Sequence, residues 1–307
     1  MERGGERLDN AYDDTVNRIE NQEQGICELA KKVLFWIVFA KRPLTTEELQ
    51  HALAVEPGTC RLEKMNLCPV NDMVSSCAGL VTVDSNIIRL VHYTTQEYFL
   101  RCASKSFEDV QRDTIATSCL TYLSYDVFAD GYLTRSDLES RLQQNPFFDY
   151  AAQNWGYHIQ DTQQSVGDLA LKLLMDNRKA SASSQALFEY YSPQKFCGMH
   201  LVAYFGLNDV MVRLLEVKDP DTSDSFGRTP QSYAAEKGNA RTVELLFDYN
   251  VDQCSKCNKG WTPFSRAIEG GSAAVVQIFL AKGVKTDYRY NFVSPLLLQS
   301  VSESNHI

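Results

Sequence analysis

Apolar residues first fall at helical spacing, then in two short runs, then at helical spacing again. From Ile26 to Ala40, the residues Leu29, Val33, Trp36, Ile37 and Ala40 recur at i, i+4, i+7, i+8 and i+11, one face of a core-forming helix. Pro43 breaks the chain, and Leu44-Thr45-Thr46-Glu47-Glu48-Leu49 opens a second helix. Thr45 is its cap, Glu48 completes a capping box, and Leu44 can staple onto Leu49. A third short helix is predicted from Val70 to Cys77. Leu80 to Val83 and Ile87 to Val91, around the turn Asp84-Ser85-Asn86, read as a hairpin. Thr94 with Glu97 predicts another capping box, stapled by Tyr93 and Tyr98, with a helix after it. Ahead of all this, residues 1 to about 20 are a polar, glycine-containing start and a charged, helix-like segment.

Three helices and a two-stranded wing make a winged helix. The C-terminal third shows a different pattern, a repeat. Gly227 recurs 33 residues on as Gly260, Thr229 as Thr262, Pro230 as Pro263, Ala234 as Ala267 and Leu246 as Phe279. Thr229 and Thr262 are predicted helix N-caps, with Pro230 and Pro263 at the first helical position, where the missing N–H costs nothing. Gly238 and Gly271 end that helix in a left-handed turn. Val243, Leu245 and Leu246, then Val276, Ile278, Phe279 and Leu280, lie at helical spacing on a second helix, which closes on Asn250 or Gly283. Each unit is therefore turn, helix, turn, helix, and neither can bury its apolar face alone.

This pattern resembles the ankyrin repeat, G-x-T-P-L-H-x-A-A over about 33 residues. A degenerate copy begins at Gly198-Met199-His200-Leu201, and a broken one at Ser294-Pro295-Leu296-Leu297. Three departures stand out: Arg266 at an apolar position, Gln231 in place of the leucine, and Cys197-Gly198 in place of Thr-Pro. The strings AKRPLTTEELQHALAVEPG and CAGLVTVDSNIIRLVHYTTQEYFLR resemble the winged-helix segment that follows the NACHT ATPase in large fungal ankyrin-repeat proteins. That segment is also grouped with the winged helix of GPI inositol-deacylase relatives. SCLTYLSYDVFA at 118–129, NPFFDYAAQNWGYH at 145–158 and the Ser-rich link SASSQAL at 181–187 follow in that family's order. No Gly-Lys dipeptide occurs, so the phosphate-binding loop of such an ATPase is missing from these 307 residues. The resemblance implies a C-terminal portion of such a protein, or a shortened relative.

The expected fold class is mainly α: a winged helix with a small β-hairpin, a helical connector and a short ankyrin-repeat solenoid. The expected divisions are an N-terminal helical remnant at 1–24, the winged helix at 25–102, the connector at 103–192 and the repeats at 193–307. Within the last, the copies are expected at about 198–223, 224–256 and 257–288, with a partial one at 289–307. So few repeats should lean on the connector.

Composition narrows the function. A formal charge of −9 opposes nucleic acid, and the candidate reading helix from Pro69 to Gly79 carries Asp72 and no basic residue. Nine scattered cysteines with no signal peptide suit a reducing, cytoplasmic setting. The longest apolar run, Val33 to Ala40, is far short of the roughly 20 residues a membrane span needs. Cys254-x-x-Cys257 has no second ligand pair and sits between repeats, which favours a structural loop over metal or redox chemistry. The histidines His51, His92, His158, His200 and His306 show no ligand or triad spacing. His200 falls where ankyrin repeats keep a histidine bonded within its own turn. The aromatic residues Tyr122, Tyr125, Phe128, Phe147, Phe148, Tyr150, Trp155 and Tyr157 read as packing core rather than a ligand cage.

No catalytic residue, cofactor or metal ligand is therefore expected. What remains is surface, because loop tips and the face of the first helices have no packing duty. Tyr204, Phe205, Phe226, Arg228, Glu236, Lys237, Lys256, Trp261, Arg266 and Glu269 are the expected contacts for a protein partner. The resemblance implies an ATPase module, in cis or in trans, as another partner. No nucleic acid and no membrane are expected. The alternatives are a winged-helix nucleic-acid binder and a cryptic enzyme with no identifiable catalytic residues.

Overall fold

The computed structural model describes residues 2–102, 113–160, 162–188 and 193–284. The fold is mainly helical, with one small sheet, and divides into two compact units, Met1–Asp126 with Glu139–Asn154 and Val127–Leu138 with Trp155–Ile307.

The first unit begins with α1 (Glu2–Glu20), α2 (Gln24–Phe39), β1 (Leu44–Thr45), α3 (Thr46–Leu53) and α4 (Val70–Ser76). It continues with β2 (Val81–Asp84), β3 (Ile87–Leu90), α5 (Tyr93–Arg101) and α6 (Thr114–Leu123). Helices α7 (Arg135–Gln144) and α8 (Phe147–Ile159) supply residues to both units. The predicted hairpin forms, turning through Ser85 and Asn86, both at positive φ, the geometry that suits a two-residue connection. The sheet has a third strand that the sequence hides: Leu44 and Thr45 pair with Ile88 and Ile87, giving the order β1-β3-β2. Two residues are too few to show a period of two.

The Thr45–Glu48 capping box forms as the residue pattern predicts. The second one does not. Helix α5 starts one residue before Thr94, and its cap is His92, whose Nδ1 accepts from the Thr94 N–H. Thr94 instead holds the Tyr12 hydroxyl at 2.6 Å, which ties α1 to α5. The buried face of α2 is also broader than one stripe. Ala30, Val33, Leu34, Phe35, Trp36 and Val38 are buried while Leu29 and Ile37 are half-buried, because α1, α3, α4, α5 and β3 all pack on this helix.

Trp36 meets Phe147 edge-on at 5.4 Å, and Phe147 in turn meets Tyr122 at 5.2 Å and stacks on Tyr150 at 5.7 Å. Seven of the eight aromatic residues expected as packing core are buried, as their density suggests; Tyr157 is the exception, 38 % exposed on α8. Arg42 grips Glu48 through two nitrogens, at 2.9 and 2.6 Å, and reaches Asp149 at 3.1 Å.

In the second unit, α9 (Gln163–Met175) and α10 (Asn177–Phe188) precede three helix pairs: α11 (Gly198–Phe205) with α12 (Asn208–Leu215), α13 (Pro230–Glu236) with α14 (Ala240–Asp248), and α15 (Pro263–Glu269) with α16 (Ala273–Ala281). First helices pack on first helices and second on second, and α9 and α10 add another layer beside α11 and α12. The Ser-rich stretch at 181–187 is therefore no linker. It lies inside α10 with Ser183 and Ser184 fully buried, and Gln185 exchanges hydrogen bonds with the Leu133 backbone at 2.9 and 2.7 Å. Small side chains here serve close packing, which composition alone does not distinguish from flexibility.

Three glycines set how closely these layers approach. A Cβ on Gly156 would overlap the Phe205 ring, one on Gly198 the Leu174 carbonyl, and one on Gly270 the Glu236 carbonyl. Asn250 and Gly283 close the second helices at φ 54° and 74°, as their residue types allow. Thr262 caps α15 by accepting from Ser265 N–H, whereas Thr229 makes no such bond and lies 3.5 Å from the Ser255 hydroxyl instead. The broken copy at Ser294 lies outside the described residues. Among the described residues, no helix is long and apolar enough to cross a membrane.

Candidate interaction surface

Each repeat opens with a finger, a tight turn ahead of the first helix. Asp224 builds the second one. Its backbone N–H donates to the Arg228 carbonyl at 3.1 Å, and its carboxylate accepts from the N–H groups of Phe226 and Arg228 at 2.8 and 2.9 Å. The Tyr233 hydroxyl donates to the same carboxylate at 2.6 Å, and burial pushes that phenol's pKa far up, so it stays a donor. Cys257 occupies the same place in the next finger, with its N–H on the Trp261 carbonyl at 2.9 Å. That explains why Cys257 is buried while Cys254 is exposed. The left-handed corner of the turn falls on Lys195, Gly227 and Gly260 in successive repeats.

Behind the fingers runs a chain of cations, rings and carboxylates. The Arg228 guanidinium lies 3.7 Å from the centre of the Tyr233 ring, and that of Arg266 lies 4.4 Å from the Trp261 ring. Arg228 and Trp261 are equivalent positions 33 residues apart, as are Tyr233 and Arg266, so ring and cation exchange places between neighbouring repeats. Glu236 joins the two pairs: Arg228 bonds its carboxylate, and Arg266 approaches it to 3.9 Å while holding Glu269 at 2.6 Å. Arg266 thus fills an apolar position of the repeat with its stem and a ring-stacked head; its side chain is 13 % exposed. In the same way, Lys237 covers the Tyr204 ring at 4.4 Å.

Nine of the ten expected surface residues fall on the fingers or this chain, or stand beside it: Tyr204, Phe226, Arg228, Glu236, Lys237, Lys256, Trp261, Arg266 and Glu269. Lys256 is exposed on the third finger. Phe205 is the correction. It is 1 % exposed, pressed edge-on against Trp155 and Tyr157, each at 5.1 Å, in the space that Gly156 leaves. Sequence reasoning missed Asp224, Tyr233, Lys195 and Lys259. The signal for Tyr233 was present: Arg228 precedes it by the five positions that separate Trp261 from Arg266.

His200 is fully buried, and it reaches beyond its own turn. Nδ1 accepts from the Cys197 N–H at 3.2 Å, and Nε2 donates to the Arg228 carbonyl of the next finger at 3.1 Å. Burial lowers its pKa to about 4, outweighing the nearby Asp224.

Comparison with known proteins adds two matches and one negative. Residues 199–290 match the family model of ankyrin repeats, in three copies. Residues 19–110 match that of the GPI inositol-deacylase winged helix domain. A search of curated proteins gives no match. The chain thus carries a winged helix domain similar to that of GPI inositol-deacylase, together with ankyrin repeats.

Proposed function

We propose that this chain is a non-enzymatic interaction and regulatory module whose ankyrin repeats bind a protein partner through their fingers and first helices. The observation that carries the reading is the Arg228–Tyr233 and Trp261–Arg266 pair of stacks joined by Glu236. It holds a half-buried Trp261, with the edges of Arg228 and Arg266 (12 and 13 % exposed) and the carboxylates of Glu236 and Glu269, in place over a buried Tyr233 before any partner arrives. The groups that an enzyme reading would recruit have other duties. His200 is neutral and bonded on both sides, and Tyr122, Tyr125, Phe128, Phe147, Phe148, Tyr150 and Trp155 are core.

For the winged helix we propose a regulatory contact with a NACHT-type ATPase, on the strength of the resemblance, and a cytoplasmic setting for the whole. The test is photo-crosslinking in cell extract, with the reactive group placed at Phe226 or Glu269 in one set and at Tyr249 on the second-helix side in another. Adducts from the first set and not from Tyr249 support the reading; equal yields from all positions overturn it.

A further inference from the structure

Strand β3 outlasts its partner on one side. The Val91 N–H donates to the Leu80 carbonyl, on the β2 side, at 2.9 Å, and alternation along an antiparallel strand turns Arg89 and Ile87 the same way. Asn86, Ile88 and Leu90 face the other way: the Asn86 carbonyl accepts from the Thr46 N–H at 2.9 Å, and Leu44 lies opposite Ile88. The position that would face Leu90 is Arg42, but β1 begins only at Leu44, and Lys41 and Arg42 lie in a bend. Among the described residues, no strand therefore meets the N–H and C=O of Leu90, which form an open end of the sheet.

A pocket of about 420 Å³ opens at that end, a size typical of ligand sites. Leu90 lines it together with Ile37, Leu44 and Ile88, and the His92 and Tyr93 rings, 4.6 Å apart, line it as well. Two of the cations along it are already paired, Arg42 with Glu48 and Asp149, and Arg89 with Asp84. Lys41 is different. Its backbone N–H is fixed on the Tyr150 hydroxyl at 3.0 Å, while among the described residues its ammonium has no ion-pair partner. No described carboxylate lines the pocket, and Glu47 and Glu97, exposed on α3 and α5, lie outside its lining.

We propose that this pocket takes the carboxyl terminus of a partner polypeptide, with its last, apolar side chain inside, its backbone paired with Leu90 as a short added strand, and its terminal carboxylate on the Lys41 ammonium. Each part of that ligand answers a group left open here, which is how extended peptides and chain ends are captured elsewhere. An end fits where a through-running segment does not, because a strand added opposite Leu90 runs into Pro43 and Leu44. The inference concerns the winged-helix unit and stands apart from how the repeats bind.

The experiment uses the full chain and fluorescence anisotropy with four probes labelled at the amino end: Gly-Ser-Gly-Thr-Val-Leu with a free carboxylate, the same peptide amidated, the free acid with Ser in place of Leu, and the free acid methylated on its Leu nitrogen. We expect the first to bind about tenfold tighter than each of the others. Lys41→Gln should bring the free acid and the amide to equal affinity. Lys32→Gln, exposed on α2 and outside the pocket lining, should change neither, and both variants should keep the thermal midpoint of the parent. Equal binding of free acid and amide overturns the proposal, as does a preference for the free acid that survives Lys41→Gln. Displacement of the probe by N-acetyl-leucine as effective as by unlabelled peptide marks a small-acid pocket and overturns the peptide assignment. Crosslinking from Phe226 and Glu269 reads the repeats alone, so the two readings fail separately.

Discussion

His200 and Arg228 belong to successive repeats, yet the imidazole of one donates to the backbone carbonyl of the other at 3.1 Å. Nδ1 of the same ring accepts from the Cys197 N–H at 3.2 Å, and the two bonds coexist only in the neutral ring that carries its proton on Nε2. The folded pKa is about 4, against about 6.5 for an unperturbed histidine. Between those values the unfolded chain takes up a proton and the folded one does not, so stability falls as pH drops through that window and levels off below it. Of the charged groups around the ring, Asp224 opposes the shift and Arg228 reinforces it. Urea melts at pH 7.5 and pH 4.5 should differ by about 2–3 kcal/mol from this residue. His200→Gln, which cannot titrate, should remove that part of the slope.

Gln231 is 1 % exposed, and among the described residues neither its Oε1 nor its Nε2 has a hydrogen-bond partner. Met199 and Phe264 hold the same position in the flanking repeats. An unsatisfied buried amide is costly, so Gln231→Leu should stabilise the protein by about 1–2 kcal/mol. A denaturation midpoint unchanged or lowered by that substitution would show that the amide is satisfied in solution.

Gly270 adopts φ −71°, a conformation open to any residue, and yet has no room for one. A methyl group there would overlap the Glu236 carbonyl of the preceding repeat. Gly270→Ala should therefore destabilise by about 1–3 kcal/mol through overpacking, although backbone propensity alone predicts a gain. Gly260, at φ 80° with open space around its Cβ site, should lose stability on the same change through backbone strain instead. Thermal melts of the two variants check both.

Arg42 is the partner that Glu48 has in a nearly buried place, and it also holds Asp149. Among the described residues, Arg42→Ala leaves the Glu48 carboxylate only the Thr45 N–H, at 2.8 Å. A loss of about 2 kcal/mol is expected, less than for a fully buried pair because Arg42 is one-third exposed. Arg42→Lys should recover only part of it, since a single ammonium cannot reproduce the two-nitrogen grip. Denaturant melts of the two variants measure both.

Local rules made most of the architecture legible. Thr45 with Glu48, the pairing across Ser85 and Asn86, and Pro230 and Pro263 at helix starts are each determined within a few residues, and the structure contains them all. Features that depend on distant neighbours stayed hidden. Leu44 and Thr45 become a strand only because Ile87 and Ile88 lie beside them, and Thr94 yields its capping role because Tyr12 takes its hydroxyl. Phe205 looked like surface because its position is exposed in an isolated repeat, and it is buried because Trp155 and Gly156 close over it. Likewise, Ser183 and Ser184 suggest flexibility by type, and only the packing of α10 shows otherwise.

The layer formed by α9 and α10 also bears on where this protein can be cut. Leu173 and Leu174 on one helix and Ala182 and Ala186 on the other are as deeply enclosed as the repeats themselves. A truncation at residue 193, just ahead of the residues that match ankyrin repeats, would uncover the wall on which the first hairpin rests and yield an insoluble or partly unfolded product. Any recombination that moved these repeats to another chain intact would have to carry the two preceding helices with them.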